Sequence, residues 1–206
     1  MRKFDDEFRV ALRDAVRGIE SESGVEVVAT ILPRTGRYWD ILLLSGLVPA
    51  AIMLTVLMFI ETEFWYVLIY LETLGAFLFG MGLVWLFPPL LRFFVGKKRL
   101  RARVELEARA LFQKAGIHET KERIGILIFM AWYERQAVVI ADRGAEELVP
   151  PDELETIEGR FSDALMDRDV AQAILDSLSS LQPMMKDYIP RDVHDVNELP
   201  DELWLH

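Results

Sequence analysis

Asp142, Glu146 and Glu147 are the side chains of this 206-residue chain best placed for chemistry. Asp142 closes an apolar run (QAVVIAD, 136–142) and stands beside Arg143 and Gly144, where a strand would end and side chains emerge at a sheet edge. Carboxylates supply the oxygen ligands that calcium or magnesium prefers, and a bound divalent ion next to a cation is the usual equipment for hydrolysing a phosphate ester. On that reading Asp142 is the candidate catalytic residue and Asp142, Glu146 and Glu147 hold the metal. The competing reading makes 142–144 a turn in which Asp142 accepts hydrogen bonds from local backbone amides. No D-x-D-x-D loop with a turn glycine accompanies these acids.

Other chemistries lack their residues. The chain has no cysteine, which removes disulfides and thiolate catalysis, and its histidines, His118, His194 and His206, are scattered. No G-x-S-x-G elbow, Walker A loop or G-x-G-x-x-G loop occurs, so hydrolase-triad, nucleotidase and dehydrogenase readings have no support. Residues 141–206 hold 17 acids against 5 bases, a balance that would repel nucleic acid phosphates. Two places suit protein binding instead. Trp132, Tyr133, Glu134 and Arg135 read as an exposed aromatic and charged tip, and Trp204 sits in an acidic tail (LPDELWL, 199–205) of the kind that folds onto a partner groove.

The elements that must position these residues surround two long apolar runs. Residues 41–60 carry no charge, and at about 1.5 Å per residue they cover the roughly 30 Å hydrocarbon core of a bilayer. Residues 64–87 carry only Glu72. Joined by a link as short as 61–63, they predict a transmembrane hairpin over 37–95; a soluble alternative would need two consecutive helices apolar on every face. Arg34 and Arg37 precede the hairpin, Arg92, Lys97, Lys98, Arg99, Arg101 and Arg103 follow it, and the link has Glu61 and Glu63. This asymmetry predicts a multi-pass protein of the bacterial inner membrane with both termini and the soluble domain in the cytoplasm, the basic segment meeting membrane lipid. The opening residues 1–19 are too charged for a signal peptide. Glu72 reads as an interfacial residue, with helix two entering the bilayer near Thr73, or else as a polar contact within an oligomer. Gly75, Ala76, Gly80 and Gly82 form a small-residue strip for helix packing, and Pro88 and Pro89 end or kink the second span.

The rest divides into 1–36 and 96–190, two pieces of one domain, with 191–206 as an acidic flexible tail. Phe4, Phe8, Leu12, Ala15 and Ile19 mark an amphipathic helix, VEVVATIL (25–32) a strand, and Leu100, Val104, Ala108 and Leu111 a helix stopped by Gly116. IGILIFM (124–130) and QAVVIAD (136–142) form a central β-hairpin covered by helices on both faces. A helix begins at Pro151, and another runs from Val170 until Pro183 breaks it.

This order, with the words AGI (115–117), HETKER (118–123), IGILIF (124–129) and ERQAVVIADRG (134–144), resembles the TPM domain family, named for thylakoid, phosphatase and membrane-receptor-modulator members. The resemblance spans 4–32 and 101–188 and is closest to bacterial forms interrupted by a membrane hairpin. It implies an α/β fold with a small central sheet and helices on both faces, and an acidic site near Asp142. Relatives are linked to photosystem repair, calcium-dependent acid phosphatase activity and receptor modulation. The expected function is a membrane-anchored adaptor that binds another membrane protein or an assembly factor, with no cofactor; the alternative is the divalent-metal-dependent phosphatase-like hydrolase.

Overall fold

The computed structural model describes residues 4, 6–60, 65–120 and 123–191. The chain forms two compact units, residues 1–35 with 101–206, and residues 36–100.

The first unit is built on a three-stranded sheet in the order β1 (Glu26–Leu32), β2 (Gly125–Ala131), β3 (Gln136–Ala141). β2 and β3 are the expected antiparallel hairpin, with Ile126 opposite Ala141. β1 pairs parallel to β2, Glu26 against Gly125 and Leu32 against Ala131. Parallel neighbours require a crossover, which helix α5 (Lys97–Lys114) supplies. The apolar hairpin is therefore an insertion into a β-α-β crossover.

Period-two alternation sends the side chains of each strand to opposite faces. Val27, Ala29, Ile31, Ile126, Ile128, Met130, Ala137 and Ala141 face a core shared with α1 (Asp6–Glu22), α7 (Pro151–Ala164) and α8 (Val170–Tyr188). Leu127, Phe129, Ala131 and Val138 face the other way, onto Val104, Ala108 and Phe112 of α5. Helices cover both faces, as expected, and β2 is buried along its whole length. The outer edges of the sheet are closed by side chains. Glu20 of α1 accepts from the Val27 N–H at 3.2 Å, while Ser162 and Glu158 of α7 accept from the Ala137 and Val139 N–H groups at 3.0 and 3.3 Å. Arg101 holds the other Glu158 oxygen at 2.6 Å.

Two sequence expectations fail in this unit. Pro183 does not end α8, which continues to Tyr188. A proline removes one N–H and crowds one carbonyl, but beyond it Met185 and Ile189 are buried in the core, Lys186 pairs with Glu22 at 3.1 Å, and the Gly24 N–H donates to the Ile189 carbonyl at 3.0 Å. Tertiary anchoring outweighs the local break. In addition, the turn read at 142–144 is the start of a short helix, α6 (Arg143–Leu148).

The second unit contains α2 (Trp39–Phe59), α3 (Tyr66–Leu86) and α4 (Pro88–Val95). α2 and α3 have mean hydropathies of 2.5 and 1.9, are long and apolar enough to cross a membrane, and bury only 22% and 11% of their apolar windows. They run antiparallel: a Cβ on Gly46 would lie 2.7 Å from the Phe77 carbonyl oxygen, and one on Gly80 would strike the Ser45 carbonyl oxygen. Gly80 alone of the expected glycines makes this contact. Gly75 and Gly82 meet nothing within 4 Å, because at 100° per residue they lie on another face of α3. The hydroxyls of Ser45, Thr55 and Thr73 donate to carbonyls of their own helices at 2.7 to 2.8 Å, so none of these three is left bare in apolar surroundings. Phe87, held out of the helical region by the proline after it, separates α3 from α4. Helix α3 begins at Tyr66 and runs unbroken through Glu72, whose side chain is exposed on its flank. Asp40, in the first turn of α2, pairs with Arg99 at 2.6 Å and so joins the entry and exit of the hairpin. The hydrogen bond to that carboxylate raises the Arg99 pKa above its ordinary value.

Candidate functional site

Asp142 lies where β3 ends and α6 begins, and its side chain is fully engaged. The backbone N–H of Arg143 donates to Oδ1 at 2.8 Å, which makes Asp142 the N-cap of α6. The Arg123 guanidinium grips both oxygens, Nη2 to Oδ1 at 3.0 Å and Nε to Oδ2 at 3.1 Å. The carboxylate is 6% exposed and the guanidinium 51%, so the pair has one buried and one wet partner. Arg123 adopts a left-handed backbone (φ 57°), unusual for a residue with a Cβ. Its N–H donates to the Thr120 carbonyl at 3.1 Å, and its own carbonyl accepts from the Gly144 N–H at 2.9 Å. Two residues further on, Gly125 admits no side chain, since a Cβ there would sit 2.7 Å from the Ile117 carbonyl oxygen.

The two other proposed metal ligands point elsewhere. Glu147 bonds Arg143 at 3.2 Å on the exposed side of α6, and Glu146 is also exposed. Among the described residues no three His, Asp or Glu side chains converge as a metal would need. Asp142 caps α6 and, through Arg123, fastens the start of β2 to the end of β3. His118, half-buried in the 3-10 turn Ile117–Glu119, has its Nε2 3.8 Å from a Glu119 oxygen. His194 and His206 lie outside the described residues.

The opposite end of the sheet holds the turn 132–135, and here the structure corrects the sequence. This turn is not an exposed tip. Glu134 is 2% exposed and accepts from the Thr35 N–H at 3.1 Å. Trp132 packs edge-on against Phe4 (5.4 Å between ring centroids), and Arg135 stacks on its ring at 3.7 Å while donating to the Leu165 carbonyl. The Trp132 and Tyr133 N–H groups donate to the Leu32 and Pro33 carbonyls at 2.9 and 3.0 Å. Tyr133 lies beneath the Arg34 guanidinium at 4.4 Å. The reason is topological: β1 runs parallel beside β2, so the chain leaving β1 passes directly by the hairpin turn and draws its side chains inward. Trp204 lies outside the described residues.

Residues 97–183 match the TPM domain family model. The chain carries a TPM domain. The matched segment begins with α5, contains β2, β3, α6 and α7, and extends into α8, so that Asp142, Arg123 and the turn 132–135 all lie within it. No curated protein matches the chain. Among solved structures, the NMR structure of the BA42 protein from the psychrophilic bacterium Bizionia argentinensis is similar, with a TM-score of 0.59 and 16% identity over 98% of this chain and 94% of that one. At that identity the likeness concerns the fold alone.

Within the TPM domain, sequence reasoning missed Arg123 as the partner of Asp142, although a signal existed. Extending the hairpin register from Ile126 opposite Ala141 by three residues brings Arg123 opposite Gly144, within reach of Asp142. It also missed the engagement of Glu134 by Thr35, which depends on the parallel placement of β1 and has no local mark.

Proposed function

We propose that this chain is an adaptor of the bacterial inner membrane, a TPM domain carried in the cytoplasm on a transmembrane hairpin, which binds another membrane protein or an assembly factor. The observation that carries this reading is the insertion of α2 and α3, apolar and largely unburied, into the β1-α5-β2 crossover of the TPM domain. A helix pair with outward apolar faces needs an apolar solvent, and the ion pair between Asp40 and Arg99 sets its entry beside its exit. Basic residues on both flanks, with Glu61 and Glu63 between the helices, favour a cytoplasmic position for the domain. The engagement of Asp142 by Arg123 and the Arg143 N–H gives the strongest candidate acid a structural role, which supports binding over hydrolysis.

The proposed contacts are Tyr133, half-buried beneath Arg34, and the acidic tail with Trp204. A photo-crosslinking residue at position 133 and another at 204 test this in intact cells. A discrete adduct with a membrane protein, lost on removal of 192–206, is expected; absence of any adduct from both positions would count against the adaptor reading.

A further inference from the structure

The second unit contains a groove of about 350 Å³ between α2, α3 and α4. Its walls run from Ile41 to Pro49 on α2 and from Phe79 to Val84 on α3, with Leu90 and Phe94 of α4 closing one end. The groove is apolar throughout, and the one hydroxyl in its lining, that of Ser45, is already donated to the Leu42 carbonyl at 2.7 Å. Two features define what fits. The first is length: from Ile41 to Pro49 the groove follows α2 for roughly 12 Å, close to the thickness of about 15 Å of one leaflet's hydrocarbon. The second is charge. Phe94 in its lining is followed three and four residues on by the exposed Lys97 and Lys98, while no lining residue is ionisable.

We propose that this groove binds one anionic phospholipid, an acyl chain lying between α2 and α3 and the phosphate held by Lys97 and Lys98. The inference rests on the transmembrane reading of the hairpin. An apolar slot of single-leaflet depth followed along the chain by two cations matches the two halves of such a lipid, and basic sites beside transmembrane helices are the usual place for anionic head groups. The adjacent pair of Asp40 and Arg99 fixes the α5 start that bears the lysines, so their place is held by the protein itself.

The test uses the full-length chain, purified in detergent, delipidated, and given equimolar phosphatidylglycerol and phosphatidylcholine of identical chains, with retained lipid counted by native mass spectrometry. Alkaline carbonate extraction of the membranes comes first: release of the chain there would sink the transmembrane reading, a failure separate from that of the groove. For the inserted protein, one retained phosphatidylglycerol per chain is expected, favoured over phosphatidylcholine by roughly tenfold or more, as two lysines near a net anionic rather than a zwitterionic head group would give. Lys97→Gln with Lys98→Gln removes the preference, and Val48→Trp, which fills the groove from its exposed rim, removes the retained lipid. Equal retention of the two lipids, or retention unchanged in either variant, would show annular lipid only and overturn the proposal.

Discussion

The backbone N–H of Thr35 donates to the buried carboxylate of Glu134 at 3.1 Å, across 99 positions of sequence. Together with the bonds from Trp132 to Leu32 and from Tyr133 to Pro33, it turns the β2-β3 connection into a clamp on the segment by which the chain leaves the TPM domain for the apolar hairpin. This turn lies at the opposite end of the sheet from Asp142 and Arg123.

Glu134→Ala leaves the Thr35 N–H without its acceptor, a loss of about 1–3 kcal/mol. Trp132→Ala removes a half-buried ring and its stacking with Phe4 and Arg135, and is expected to cost roughly 2 kcal/mol, less than the value for a fully buried tryptophan. Both lower the Tm of the purified chain in detergent. An unchanged Tm for both variants would mean that the turn is dispensable to the fold.

At the other end, Asp142→Ala loses the cap and the ion pair, whereas Asp142→Asn keeps a side-chain oxygen for the Arg143 N–H. The alanine variant should be the less stable by about 1 kcal/mol, the usual worth of an N-cap. Arg123→Ala should be less stable than Arg123→Gly, because both lose the guanidinium and only alanine retains the left-handed strain. Denaturant titration of the four variants checks both orders.

Calcium and magnesium separate the adaptor from the hydrolase. Since a cation bound only by the folded chain raises Tm by mass action, a metal site at Asp142, Glu146 and Glu147 would appear as a shift at millimolar ion. No shift and no phosphate-ester turnover are expected, while a calcium-dependent rise that disappears in Asp142→Asn would favour the hydrolase.

In the hairpin, Gly80→Val places a branched side chain against the Ser45 carbonyl and should separate α2 from α3, whereas Gly75→Val meets nothing. Disulfide trapping between cysteines placed at positions 45 and 80 of α2 and α3 is unsuitable for the Gly80 variant, so a pair at 42 and 84, both buried, reports the packing. Crosslinking should persist with Gly75→Val and fall with Gly80→Val. Equal yields would show that the close approach of the two helices is not required.

Orientation is open to a direct measurement in this cysteine-free chain. A cysteine at Thr62 should react with an impermeant thiol reagent in intact cells and one at Ser177 only after lysis. The reverse pattern would place the TPM domain outside.

By itself the sequence determined what depends on neighbours along the chain. Hydropathy and length marked α2 and α3, three- and four-residue spacing marked α1 and α5, and the covering of the β2-β3 hairpin on both faces followed from the unbroken apolar runs IGILIFM and QAVVIAD, because each of these signals is repeated within a few residues. Only the tertiary structure decided the rest. Parallel pairing of β1 with β2 buried Glu134 against Thr35, anchoring of Met185 and Ile189 carried α8 through Pro183, and the facing of α3 toward α2 selected Gly46 and Gly80 over Gly75 and Gly82. The pairing of Asp142 belongs to the same class: its cap on α6 is local, but its ion-pair partner Arg123 lies 19 residues away and is brought to it by the register of the hairpin.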